Sequence, residues 1–214
     1  MGGLGLGLSL SNSSESFTDS VASSTYTVNN ATDDGSTFSN STTSSHVSFN
    51  GSISNNSSIV FAGAQDDEGD INYMVSYFRF TNVAIDQGAT VQSAILKPIK
   101  KSSSGSASKD FEIAGRDVDN AGVPSSASTL GSNRTTARVT LLKSTVFDTT
   151  NGNRFDTPDI KTIIQEIVNR AGWSSGNSIV LVLYTPRQDV NSPVLAGFGS
   201  KDGTDESAEL VITL

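Results

Sequence analysis

His46 is the only histidine of the 214-residue chain, so any imidazole chemistry must run through it. A hydrolytic triad needs such a ring as a base, oriented by an acid and touching a nucleophile. His46 lies in a Ser/Thr-rich stretch beside Val47 with no acid nearby, which suits an exposed polar strand position better. Asp110 and Glu112 stand two apart and would share one strand face, as paired carboxylates acting on a glycoside could. With Lys109 before them they read more simply as a strand entrance. Hard cations are better served. Three acidic clusters, Asp33/Asp34, Asp66/Asp67/Glu68/Asp70 and Asp202/Asp205/Glu206, offer the oxygen ligands calcium takes; solvated acidic loop tips are the competing reading. The run DVDNAG at 117–122 imitates a calcium loop, but Ala121 fills a ligand place and no Glu closes the loop, so it reads as a turn. Trp173, the only tryptophan, could stack on a sugar, but its place after Gly172 favours packing on a helix end. Arg79, Arg134 and Arg138 fit surface or strand-pair charges better than ligand clamps. No catalytic constellation emerges, and a non-enzymatic protein is expected.

The elements that must position these residues are mostly strands. Short β-prone alternations at Tyr26–Val28, Val47–Phe49 and Ile59–Phe61 punctuate the segment from Ser11 to Ser58, where 31 of 48 residues are Ser, Thr or Asn. That composition alone would suggest disorder; the alternations argue for polar strands instead. Further strands are expected at Tyr73–Val83, Val91–Lys97, Phe111–Gly115, Thr136–Leu142, Ile179–Tyr184, Pro193–Phe198 and Ala208–Thr213, each bounded by turn residues. One stretch has a helical period: Ile160, Ile163, Ile164, Ile167 and Val168 form a single apolar stripe. Thr157 as cap, Pro158 at the first helical position, Asp159 in the first turn and a left-handed Gly172 at the end predict a helix over about 157–171. The predicted fold is therefore all-β, an antiparallel jelly-roll-like β-sandwich with one α-helix packed on it.

Two units are expected: an extended arm over 1–20 and one sandwich domain over 21–214. In the arm Leu4, Leu6, Leu8 and Leu10 alternate with small residues, so all four leucines would face one side of a strand able to pair with its own domain or a neighbouring subunit. A basic signal-peptide start is missing from this arm. The formal net charge of −8 argues against nucleic acid, because phosphate binding needs clustered Lys and Arg. Only Lys97, Lys100 and Lys101 cluster, and they read as a solvated loop tip. No apolar run approaches the roughly 18 residues of a membrane span, and without cysteine there are no disulfides.

FRFTNVAIDQGATVQSAILK (78–97), GRDVDNAG (115–122), SNRTTARV (132–139), the 157–183 stretch and a closing AELVITL together resemble a bacterial and phage extracellular β-sandwich domain, similar to carbohydrate-binding jelly rolls. The likeness runs from about Asn30 to the C-terminus and is most specific over Thr157–Leu183. ATDDGSTF (31–38) resembles the family's early acidic turn, with Gly35 and Ser36 where further acids usually stand. Leu141, Leu142 and Phe147 occupy positions the family tends to give to tryptophan. The resemblance implies a structural calcium joining an early and a late loop, with Asp33, Asp34 and Asp202 as its ligands. It also implies two functions. The first is a stand-alone tailed-phage virion protein, a head decoration or tail module that self-assembles or binds other virion proteins at the virion surface. The second is an extracellular module that adheres to surface glycans.

Overall fold

The computed structural model describes residues 22–41, 52–67, 70–105, 109–186, 193–203 and 207–214, with backbone alone at 38–41, 66, 67, 70 and 71. His46, the Val47–Phe49 strand and the four arm leucines fall outside these residues. The chain is all-β and sandwich-like, and every strand pair is antiparallel. One sheet has three strands in the order β1 (Ser23–Thr27), β12 (Glu209–Thr213), β6 (Ser93–Lys97). The larger sheet runs β7 (Lys100–Ser104), β11 (Leu195–Gly199), β4 (Ile59–Asp67), β5 (Asp70–Phe80), β10 (Ile179–Tyr184), β8 (Phe111–Gly115), β9 (Val139–Leu141). It branches at β5. There β2 (Asp34–Ser41) lines one edge from Phe78 to Ile71 and carries β3 (Ser52–Ser54), while β4 and then β10 take the other edge.

Alternation explains the layers. In β6 and β12 every second residue is buried, so Ala94, Leu96, Leu210 and Ile212 face the main core. Strand β10, read as a near-continuous apolar run, is buried on both faces. Ile179, Leu181 and Leu183 enter the main core with Phe78, Phe80, Phe111 and Ile113. Val180 and Val182 enter a second cluster with Val75 and Tyr77. The short helix α1 (Ala127–Gly131) roofs that second cluster with Ala127 and Leu130. A short α2 (Lys143–Asp148) follows, so among the described residues three α-helices stand where one was expected.

The organising helix is shorter than its pattern implied. Helix α3 covers Lys161–Val168, and its Ile163, Ile164, Ile167 and Val168 are fully buried. Each such aliphatic contributes about 2 kcal/mol of burial. Thr157 does not cap its start, while Asp159 Oδ1 does accept from the Lys161 N–H at 2.9 Å at the first helical residue; both also close the open edge of β6. Leu96 N–H donates to Thr157 Oγ1 at 3.1 Å and Ala94 N–H to Asp159 Oδ1 at 2.9 Å, while Thr157 and Ile160 N–H return bonds to the Leu96 and Ala94 carbonyls. The segment before the helix thus behaves as a makeshift strand, which satisfies the sheet edge before the helical stripe begins. Gly172 has no left-handed φ. Its missing Cβ makes room for the Asp119 carboxylate instead. Trp173 is a core residue, 2% exposed, with Nε1–H donating to the Ile85 carbonyl at 2.9 Å.

Strands β2, β3 and β7 were not expected. They carry DGSTFSNS, SIS and KKSSS, sequences with little apolar alternation. The supposed basic loop tip also fails as such. Lys100 is buried, and its ammonium donates to the Phe147 and Thr149 carbonyls at 2.9 and 2.7 Å, at the C-terminal end of α2 where a cation is favoured.

Candidate functional site

The early and late loops that should share a cation do meet. Asp33 ends a 3-10 turn at Ala31–Asp33, and Asp34 opens β2; both are completely buried. Asp34 Oδ2 accepts from the Lys201 N–H at 2.8 Å, and Ser200 Oγ donates to the Ser57 carbonyl nearby. Burial pushes the Asp34 carboxyl up to about 7, and the charges of Asp202 and Asp33 push the same way against the Lys201 hydrogen bond. Its Oδ1 has no partner. Tyr77, packed beneath, donates to the Thr32 carbonyl at 3.1 Å, and burial followed by the Asp34 charge drives its phenol upward.

Asp33, Asp34 and Asp202 nevertheless do not fit a calcium cage. Asp33 Oδ1 is held by Arg79 Nη1 at 2.5 Å, and its Oδ2 accepts from the Asn30 side chain at 2.8 Å. Asp202 is exposed. Among the described residues no group of three or more His, Cys, Asp and Glu side chains is gathered to hold a metal. The free Asp34 oxygen is one ligand, not a set. Within the other two clusters, only Asp202 has a described side chain.

The remaining sequence candidates are dispersed. Asp110 Oδ1 accepts from the Lys143 N–H at 2.8 Å, and Glu112 Oε2 accepts from the Tyr184 hydroxyl at 2.7 Å, so each carboxylate is spent separately. DVDNAG is a structural turn. Asp117 and Asp119 both bind Arg170, and Asn120 Oδ1 accepts from Ser178 N–H at 3.0 Å. Arg79 is an internal clamp rather than a surface charge: Nε donates to the Ala121 carbonyl at 2.7 Å and Nη2 to Ser178 Oγ at 3.1 Å, beside its bond to Asp33. Arg134 lies 4.2 Å over the Tyr184 ring, while Arg138 is exposed.

A concave site that the sequence did not indicate opens between β3, β4 and β11. Its volume is about 350 Å³. Ile59, Phe61, Met74 and Leu195 give it an apolar floor, and Ser36, Ser54, Ser57 and Gln65 give it hydroxyls and an amide. The available signal was weak: Ile59, Phe61 and Gln65 share a period of two, but Gly63 interrupts it at φ 125°, where any Cβ would strike the Val194 carbonyl. No protein-family model matches this chain, and no curated protein matches it significantly.

Proposed function

We propose that this chain is a non-enzymatic structural protein of a phage virion, a head decoration or tail module that assembles by strand addition. The observation that carries the proposal is the outer edge of β1. That strand ends the three-stranded sheet, and no described residue pairs with its free side. The Leu214 N–H bonds the Ala22 carbonyl, so Ser23 and Thr213 form a pair without mutual hydrogen bonds. Ser24 and Tyr26 therefore point their backbone groups at β12, while Ser23, Thr25 and Thr27 aim theirs outward. The opposite edge of the same sheet is closed by the Thr157–Ile160 segment, which leaves β1 as the edge for a partner strand. The alternating leucines at 4, 6, 8 and 10 supply such a strand from another copy, with main-chain bonds for affinity and leucines for burial.

Thr25→Pro tests the edge alone, because it removes an outward N–H and no ladder bond. Light scattering should show assemblies for the full chain, and smaller species for both Thr25→Pro and a deletion of residues 1–12. Circular dichroism should stay unchanged. A full chain that is monomeric, or variants that assemble and enter particles normally, would defeat the proposal.

The β4–β11 groove favours a second reading, an adhesion module for surface glycans. An apolar floor under hydroxyl and amide groups is the usual make-up of a sugar subsite. Phe61→Ala should then lower affinity on a glycan array by about tenfold, the effect of losing one ring contact of roughly 1.4 kcal/mol. Absence of any glycan binding by the unmodified protein would remove this reading and leave the first intact.

A further inference from the structure

We propose that the groove between β3, β4 and β11 reads the acetamido group of an uncharged N-acetylated amino sugar. This rests on the glycan reading of the same groove and names the class of sugar it selects. The starting point is the backbone of β4. Ala64 N–H donates to the Val194 carbonyl at 2.7 Å, one step along the β4–β11 register, so Ala64, Ala62 and Val60 aim their backbone groups at β11. Ile59 and Phe61, one residue out of phase, aim theirs the other way, toward the β5 side from which Ser36 of β2 and Ser54 of β3 reach the groove. Strand β5 takes that side of β4 only from Gly63 to Asp67. The Ile59 N–H goes to Ser57 Oγ at 3.4 Å. Among the described residues, Gly197 on β11 is the only strand partner of Phe61. Phe61 thus stands at a one-residue gap in the ladder, with a backbone donor and acceptor turned toward it.

The size of that gap decides the ligand. An added peptide strand needs a run of free positions. Here the Ser57 bond closes the gap on one side and the β5 pairing closes it on the other, so there is room for one amide. The acetamido group of an amino sugar is such an amide with a methyl attached. Its carbonyl can accept the Phe61 N–H. Its own N–H points the opposite way, because the amide is trans, and meets a serine hydroxyl across the groove. Ile59, Met74 and Leu195 give the methyl an aliphatic seat, which a plain hexose would leave unfilled. Ser57 and Gln65 remain for the sugar hydroxyls. None of the described lining residues is charged, and the chain carries −8 overall, so a neutral sugar is favoured over an acidic one. A volume of about 350 Å³ is at the small end of ligand sites and suits a single sugar residue.

Ligand-observed NMR titrations of the full chain test the site with N-acetylglucosamine and N-acetylgalactosamine, their parent hexoses glucose and galactose, and glucosamine. At least one N-acetyl sugar should bind at least tenfold more tightly than its parent hexose, with its acetamido methyl receiving the strongest saturation from the protein. Glucosamine, with an ammonium in place of the amide, should bind no better than glucose. Leu195→Asn puts a polar group where the methyl would sit and should remove most of the N-acetyl preference. If that variant does not fold, the sugar series on the unmodified protein decides alone. Equal affinity for N-acetyl and parent sugars would overturn this inference and leave the glycan reading standing. No binding by any sugar, in these titrations or on the array, would remove both. Acetyl-lysine amide binding as tightly as the N-acetyl sugars would assign the groove to a modified protein and overturn the sugar.

Discussion

Arg79→Met should destabilise the fold by about 3–5 kcal/mol, the cost typical of stripping one partner from a buried ion pair. Asp33 has no exposed surface, and its Oδ1 takes its ion pair from Arg79 alone among the described residues. The same guanidinium also satisfies the Ala121 carbonyl and Ser178 hydroxyl, so its removal strips acceptors in three segments at once: the turn before β2, the loop roofing the second cluster and the start of β10. Methionine preserves most of the volume and isolates the loss of charge. A double-mutant cycle makes the cause visible. Asp33→Asn in the Arg79→Met background should recover a good part of the loss, since a neutral amide needs no counter-charge and can still accept from Asn30. Urea midpoints measure all four proteins. If the two substitutions simply add, or if Arg79→Met alone costs under about 1 kcal/mol, the buried pair is not what holds this corner.

The clamp and the groove show where residue pattern stops informing. Strands with apolar alternation or a buried run were legible: β8 and β10 have the expected limits, β6 and β12 fall within theirs, and β11 overruns its expected end by one residue, to Gly199. Strands β2, β3 and β7 were not, because they hold their places through neighbours rather than composition. Thr37 is buried against β5 although nothing in DGSTFSNS has a strand's apolar period. The helix was legible through its stripe, while its boundaries were not, since Thr157 and Asp159 look like capping residues and serve a sheet edge 61 and 65 residues away. At the acidic end, sequence could pair an early loop with a late one. It could not show that Arg79 would reach across from β5 and take Asp33 out of any cation site.

Asp34 carries the other large effect, a dependence of stability on pH. Its carboxyl sits near 7 in the folded chain against an ordinary 3.8, so between about pH 4 and pH 7 the folded state holds a proton that the unfolded state has lost. Stability therefore falls as pH rises through that window. The contribution is fully present below about pH 4, gone above about pH 7, and amounts to about 4 kcal/mol. Asp34→Asn removes the titrating group and keeps an acceptor for the Lys201 N–H. The new amide N–H groups need partners in a buried place, a cost of about 1–3 kcal/mol that shifts the whole profile without tilting it. Urea midpoints at half-unit steps from pH 4 to pH 8 should show the unmodified protein losing stability relative to Asp34→Asn across the series. Other carboxylates move both profiles together, so the difference isolates Asp34. Two parallel profiles would mean that the carboxyl reaches water and titrates normally. Millimolar calcium discriminates further: a dication bound at Asp34 would hold the carboxylate ionised and reverse the loss of stability above pH 7. With Asp33 committed to Arg79 and Asp202 exposed, calcium should leave the midpoint at pH 8 where it was.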